Sequence, residues 1–250
     1  MLSRNLFGPL FGVPFAAIAA LGSFARRARF LHPDGVVYRA DVTPLGDDPL
    51  AKALEGSALV RLSGATHRWP AGVARHDILG VAVRFHPSEE REQDLLFASF
   101  LRTVGLPLAF FTTDTNDFFA NAYGSAFPSR APGHRGRVDF RLVTDAAARQ
   151  GRGTNRLERL MDNARAGNAV FTLQIRRRGL LGQPVELARI TLREHLHDGG
   201  VHNGGENLRF NPFNAGLGIK PVGFLQGVRK VVYPASQLGR ALARMIPVKA

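Results

Sequence analysis

The feature that most limits the fold of this chain is a succession of short β-type runs, each closed by turn residues. Residues 35–43, 58–63, 78–85, 138–144, 170–176 and 185–192 are rich in Val, Leu, Phe and Thr and are mostly bounded by Gly, Pro or Asp. That is the composition and punctuation of strands. Helical spacing is confined to the stretches between and after them, at 49–55, 117–123, 156–166 and 236–245. In 156–166 the apolar Leu157, Leu160, Met161 and Ala164 fall at helical spacing, and Gly167 follows as a stop. Many strands with helices set apart from them predict an α+β fold or an antiparallel β-barrel, not a doubly wound α/β sheet. No internal repeat is visible, and the Gly-rich stretch 195–207 reads as a loop.

A chain of 250 residues with 45 % hydrophobic and 21 % charged residues can build one large core or two small ones. It has no Cys, which excludes disulfides, zinc–thiolate sites and thiol nucleophiles. Lys and Arg number 33 against 20 Asp and Glu, a net charge of +13 that favours anionic partners such as acidic lipid or carboxylated ligands. Nucleic acid is not expected, because no helix-turn-helix, RNP or zinc-finger pattern is present.

Residues 5–25 carry no charge and are flanked by Arg4 and by Arg26, Arg27 and Arg29. The length approaches that of a membrane span, but Pro9, Pro14 and several glycines interrupt it. The readings left open are an arm packed on the domain, a monotopic anchor with its basic flank on lipid headgroups, a true span, and a cleaved signal. Two parts are expected on this basis: 1–25 as apolar arm or anchor, and 26–250 as the main domain.

Chemistry concentrates near the C-terminus. Arg229 stands four residues before Tyr233, so on a helix the guanidinium can reach the phenol oxygen. A fixed cation favours the phenolate, and a phenolate is a good ligand for ferric iron. An ordinary amphipathic helix with a buried Tyr fits the same spacing. His32 precedes the first β-run, where it suits a general acid/base or a plain turn. His195, His197 and His202 are spaced for a metal pair on a strand or for a solvated loop. No phosphate loop or nucleophile elbow is present.

Six segments, in order, resemble those of the haem catalase superfamily. They are Arg29-Phe-Leu-His32-Pro-Asp-Gly35, Leu59-Val-Arg61-Leu-Ser63, and Asp77-Ile-Leu-Gly80-Val-Ala-Val-Arg84-Phe85. Then come Asn163-Ala-Arg-Ala-Gly-Asn168 leading to Ile175, Phe210-Asn-Pro212-Phe-Asn214 with Gly218-Ile219, and Arg229-Lys-Val-Val-Tyr233-Pro with Arg240. The family's counterparts are R-x-x-H-x-x-G, V-R-F-S, D-x-x-G-F-A-V-K-F, N-A-I-A-T-G-N, F-D-P-x-N and R-x-x-x-Y-P-D-T-x-x-x-R. The resemblance covers roughly residues 26–240 and implies an antiparallel barrel of catalase type, with a haem b pocket between barrel and C-terminal helix. It implies Tyr233 as the iron ligand, Arg229 as its phenolate partner and His32 as the distal acid/base hydrogen-bonded to Ser63. It also implies Arg29, Arg61 and Arg240 on the propionates, and Phe118 packed on the distal haem face.

The chain departs from the family where it matters for chemistry. The family's distal Asn is Gly105 here, which removes a hydrogen-bond partner from bound peroxide. Leu31 replaces the Thr of the allene oxide synthase branch, which argues against hydroperoxide isomerisation. The resemblance therefore implies a peroxidase using hydrogen peroxide or an organic, including lipid, hydroperoxide, with weak catalase turnover and an unknown reducing co-substrate. The alternative is a non-catalytic haem- or lipid-binding relative at the membrane. The expected location is cytoplasmic or peripheral on the inner face of a bacterial membrane, with residues 5–29 on an anionic surface. A homo-oligomer is left open.

Overall fold

The computed structural model describes residues 35–65, 76–87, 90–100, 106–125, 128–177, 183–196, 208 and 210–222. These lie almost wholly within one compact unit, Asp34–Pro221. The apolar arm 1–25, the helix expected at 236–245, and His32, Arg29, Gly105, His197, His202, Arg229, Tyr233 and Arg240 lie outside them.

Ten strands appear in chain order: β1 Gly35–Pro44, β2 Gly56–Gly64, β3 Leu79–Phe85, β4 Gln93–Ala98, β5 Tyr123–Ser125, β6 Ser129–Arg130, β7 Val138–Val143, β8 Val170–Arg177, β9 Val185–His195 and β10 Lys220–Pro221. Every pairing is antiparallel. The order β7-β5-β4-β3-β2-β1-β9-β8 returns to β7 through a β7–β8 pairing, so eight strands close into a barrel. β6 continues along the β5 side of β7, with Ser129 opposite Val138, and β10 pairs on β6. Among the described residues three α-helices accompany the barrel: α1 Pro49–Leu54, α2 Leu106–Thr112 and α3 Arg156–Arg165. The α+β class and the antiparallel barrel expected from the β-runs are both present.

Alternation along each strand decides which side faces in. Tyr38, Ala40 and Val42 of β1, Val60 and Leu62 of β2, and Val81, Val83 and Phe85 of β3 are buried in one continuous core. An eight-stranded barrel is just wide enough for its own side chains to fill it. Leu50, Ala51 and Leu54 of α1 and Leu160 of α3 join that core. Asp48 caps α1 by accepting from Leu50 N at 2.8 Å, and Asn155 caps α3 by accepting from Leu157 N and Glu158 N at 3.0 Å. Gly167 ends α3 with φ 72°, a left-handed turn that favours glycine, as the sequence predicts.

Two expectations fail. Residues 117–123 are not a helix but turns that lead into β5. Asp117 accepts from Phe119 N at 2.8 Å, and Asn121 Nδ2 donates to the carbonyls of Asp114 and Asp117 at 2.8 and 2.7 Å. Such short side chains compete for backbone groups that a helix would use internally. The loop expected from 195 begins after it, because His195 still belongs to β9 and its ring lies 5.0 Å from that of Tyr38.

Candidate functional site

The side of β1–β4 that faces away from the lumen carries two of the expected site residues. Register sets its rows. Gly35 lies opposite Ser63, Ser63 opposite Gly80, and Gly80 opposite Ala98. The next row runs Val37, Arg61, Ala82 and Leu96. Outward positions of a barrel are ordinarily wet, yet Val37 is 1 % exposed, and Arg61 and Ser63 are each 3 % exposed. A buried guanidinium is costly unless paired, and neither Arg61 nor Ser63 is without a partner.

The first row is flat because its side chains are small. A Cβ built on Gly35 would stand 2.5 Å from Leu62 O, 2.9 Å from Ser63 Cβ and 3.0 Å from Arg61 Cζ. Only glycine fits there, and the guanidinium of Arg61 folds over the first row toward Ser63. The result is a platform of small side chains, buried at Gly35, Ser63 and Gly80 and half-buried at Ala98, with a cation at its margin and a hydroxyl in its middle.

Phe118 sits elsewhere in the described structure, fully buried in the core. Tyr123 Oη donates to its carbonyl at 2.7 Å. The guanidinium of Arg156 lies 5.9 Å from its ring, and Arg156 Nη1 donates to Thr115 O at 3.3 Å. Burial lowers the pKa of Arg156, opposed by the buried carboxylate of Asp77.

A polar clamp that the sequence did not announce lies across the row at the far end of the same strands. Arg84, paired with Asp94 in the register, donates from Nε and Nη2 to its two carboxylate oxygens at 2.7 and 2.8 Å. The guanidinium is held protonated chiefly by that hydrogen bond, and its pKa is raised. Asp94 Oδ2 also accepts from Asn211 N at 2.6 Å and Asn214 Nδ2 at 3.2 Å, while Arg84 stacks 5.3 Å from the ring of Phe210. Gln93 beside it donates to Asn214 O at 2.9 Å and accepts from Ile219 N at 3.1 Å. A Cβ at Gly216 would collide with the backbone of Arg91. The Phe210-Asn-Pro-Phe-Asn segment is thus fastened along residues 91–94.

Asp94 and Gln93 escaped the sequence reading because β4 itself did. The signal was the run Leu95-Leu-Phe-Ala98 behind a charged stretch. Among the described residues no three His, Asp or Glu side chains converge as metal ligands, and no helix is long and apolar enough to cross a membrane. A scan against protein-family models finds no match for the chain, and a comparison with curated proteins finds none either.

Proposed function

We propose that this chain is a haem b peroxidase of catalase type, acting on hydrogen peroxide or an organic hydroperoxide, lipid hydroperoxides included. The observation that carries the reading is the buried outward platform. Arg61 and Ser63, chosen from the strand motif alone, share it with Gly35, the last residue of the histidine motif. A flat row of Gly, Ser, Gly and Ala suits a planar macrocycle, and a buried guanidinium suits a carboxylate at its edge. On these grounds the described residues fit the group.

In this reading Arg61, with Arg29 and Arg240, binds the propionates, and Tyr233 ligates the iron as a phenolate kept ionised by Arg229. Bound in this way, the group would supply an iron centre able to break the peroxide O–O bond. His32 takes a proton from the peroxide and returns it to the departing oxygen. Gly35 lies three positions after His32, a span of at most about 11 Å, which would let the imidazole reach Ser63. Ser63 orients that imidazole. With Gly105 in place of an amide, peroxide is held by one side chain fewer, and reduction by a second substrate outpaces disproportionation.

Haemin titration of the purified full-length protein tests this. The expected result is a high-spin ferric Soret band that is lost in Tyr233→Phe and formed with weaker affinity in Arg61→Ala. Dye oxidation by peroxide should exceed oxygen evolution and fall in His32→Ala without loss of the Soret band. A protein that takes up no haemin would overturn the proposal.

A further inference from the structure

On much of the barrel's outer face, arginines meet carboxylates. Arg39 lies 3.5 Å from Glu194, Arg176 lies 3.8 Å from Asp139, and Arg193 lies 2.7 Å from Asp41. One corner differs. There β10, β6, β7 and the end of β8 lie side by side, with Lys220 directly opposite Arg130 on one face of the sheet and, in the adjacent row, Ser129, Val138 and Arg177 on the other. Arg177 Nε lies 3.8 Å from where a Cβ on Gly136 would stand, so its side chain projects over the bend between Arg135 and Arg137. Arg130, Arg135, Arg137, Arg177 and Lys220 are all exposed. Among the described residues none of the five has an ion-pair partner. Like charges directly opposite in a sheet repel, so the Lys220–Arg130 pair opposes folding unless an anion lies against it.

We propose that this corner docks the protein on an anionic lipid bilayer. The field of an acidic leaflet acts on unpaired cations without demanding a fixed geometry, and five cations spread over three strands and a bend offer no shaped cradle. Single-stranded nucleic acid calls for aromatics interleaved with the cations, and among the described residues the bend carries only His134, half-buried and 3.2 Å from Asp48. Only Phe111 and Val185 are exposed large hydrophobics among the described residues. Val185 pairs with Ile175, two residues before Arg177, at the same strand ends. It adds an aliphatic contact that suits the headgroup boundary. Stable membrane association generally takes two signals, here the diffuse cations and the exposed aliphatic side chain of Val185. The inference stands apart from the haem reading, since none of these residues belongs to the platform.

Co-sedimentation of the full-length protein with phosphatidylcholine vesicles, and with vesicles that also contain phosphatidylglycerol, provides the test. Binding should require the anionic lipid and weaken with salt. Joint replacement of Arg130, Arg135, Arg137 and Arg177 by Gln should weaken it on the order of a thousandfold, leaving the far-UV circular dichroism unchanged. Replacement of the same four by Lys should retain it, because a diffuse potential reads charge and not fork geometry. Unaltered binding in the Gln variant, loss in the Lys variant, or a preference for RNA or DNA over the vesicles would each overturn the proposal.

Discussion

Tyr38 and Tyr123 both point into the barrel, and their hydroxyls fare differently. Tyr123 Oη donates to Phe118 O at 2.7 Å, whereas Tyr38 Oη is buried with no hydrogen-bond partner among the described residues. Removing a satisfied buried hydroxyl loses about 1 kcal/mol, and removing an unsatisfied one recovers its desolvation cost. Urea denaturation should therefore show Tyr123→Phe less stable by about 1 kcal/mol, and Tyr38→Phe unchanged or more stable by up to about 1 kcal/mol. Burial also pushes the Tyr38 phenol up to about 12, with the nearby Arg165 opposing, and pushes the Tyr123 phenol well above its usual value. In the unfolded chain both ionise near pH 10. Above that pH the unfolded state binds fewer protons than the folded one, and stability falls as pH rises through the window up to about 12. Each Phe variant should flatten part of that alkaline loss. At this scale the sequence was legible where chemistry is rare. Arg61 and Ser63 stand out in an apolar strand, while Tyr38, one of three tyrosines, looks like any aromatic β residue.

The clamp belongs to the scale of elements. It joins the β3–β4 hairpin to a segment more than a hundred residues later, since the Asp94–Asn211 bond spans 117 positions. The Asp94 side chain is fully buried and that of Arg84 nearly so. Taking away one partner of such a pair strands the other charge. Asp94→Ala should cost about 3–5 kcal/mol and open the Phe210–Ile219 segment to proteolysis before the barrel unfolds, which limited digestion would detect. In the sequence the Phe210-Asn-Pro-Phe-Asn run was marked as a motif but not as a fastening. Its partners lie on β4, whose first two places are Gln and Asp. A strand that opens with two buried polar residues hides its alternation. The segment 117–123 misled in the opposite way, because an apolar stretch read as helical says nothing of the Asx side chains that take the backbone bonds.

At the scale of the whole molecule, closure of the barrel makes its strands interdependent. Each of the eight has at least two neighbours, and closure leaves the ring of eight without a free edge. Phe171 sits at the centre, stacked on Phe119 at 4.9 Å and edge-on to Tyr123 at 6.0 Å. Phe171→Ala should cost about 3–5 kcal/mol and do so in a single transition seen alike by fluorescence and circular dichroism. A biphasic curve would show that the strands unfold in separate groups. Six of the ten strands were legible as apolar runs. The pairs Ser129–Arg130 and Lys220–Pro221 were not, since two residues carry no period, and long-range closure between β7 and β8 leaves no local mark.

The clamp also fixes an order of events during synthesis. Asp94 leaves the ribosome long before Asn211. At about 5–20 residues per second, the 117 positions between them take about 6–23 s to make. Throughout that interval Arg84 and Asp94 lack Phe210, Asn211 and Asn214, while the outward face of β1–β4 is already translated. The segment they will hold, and the Arg229–Tyr233 pair that follows it, come last. The Phe210 segment therefore docks on a hairpin that has been complete for some seconds, and a chain halted within that interval would keep the Arg84–Asp94 pair without its Phe210 and Asn211 contacts.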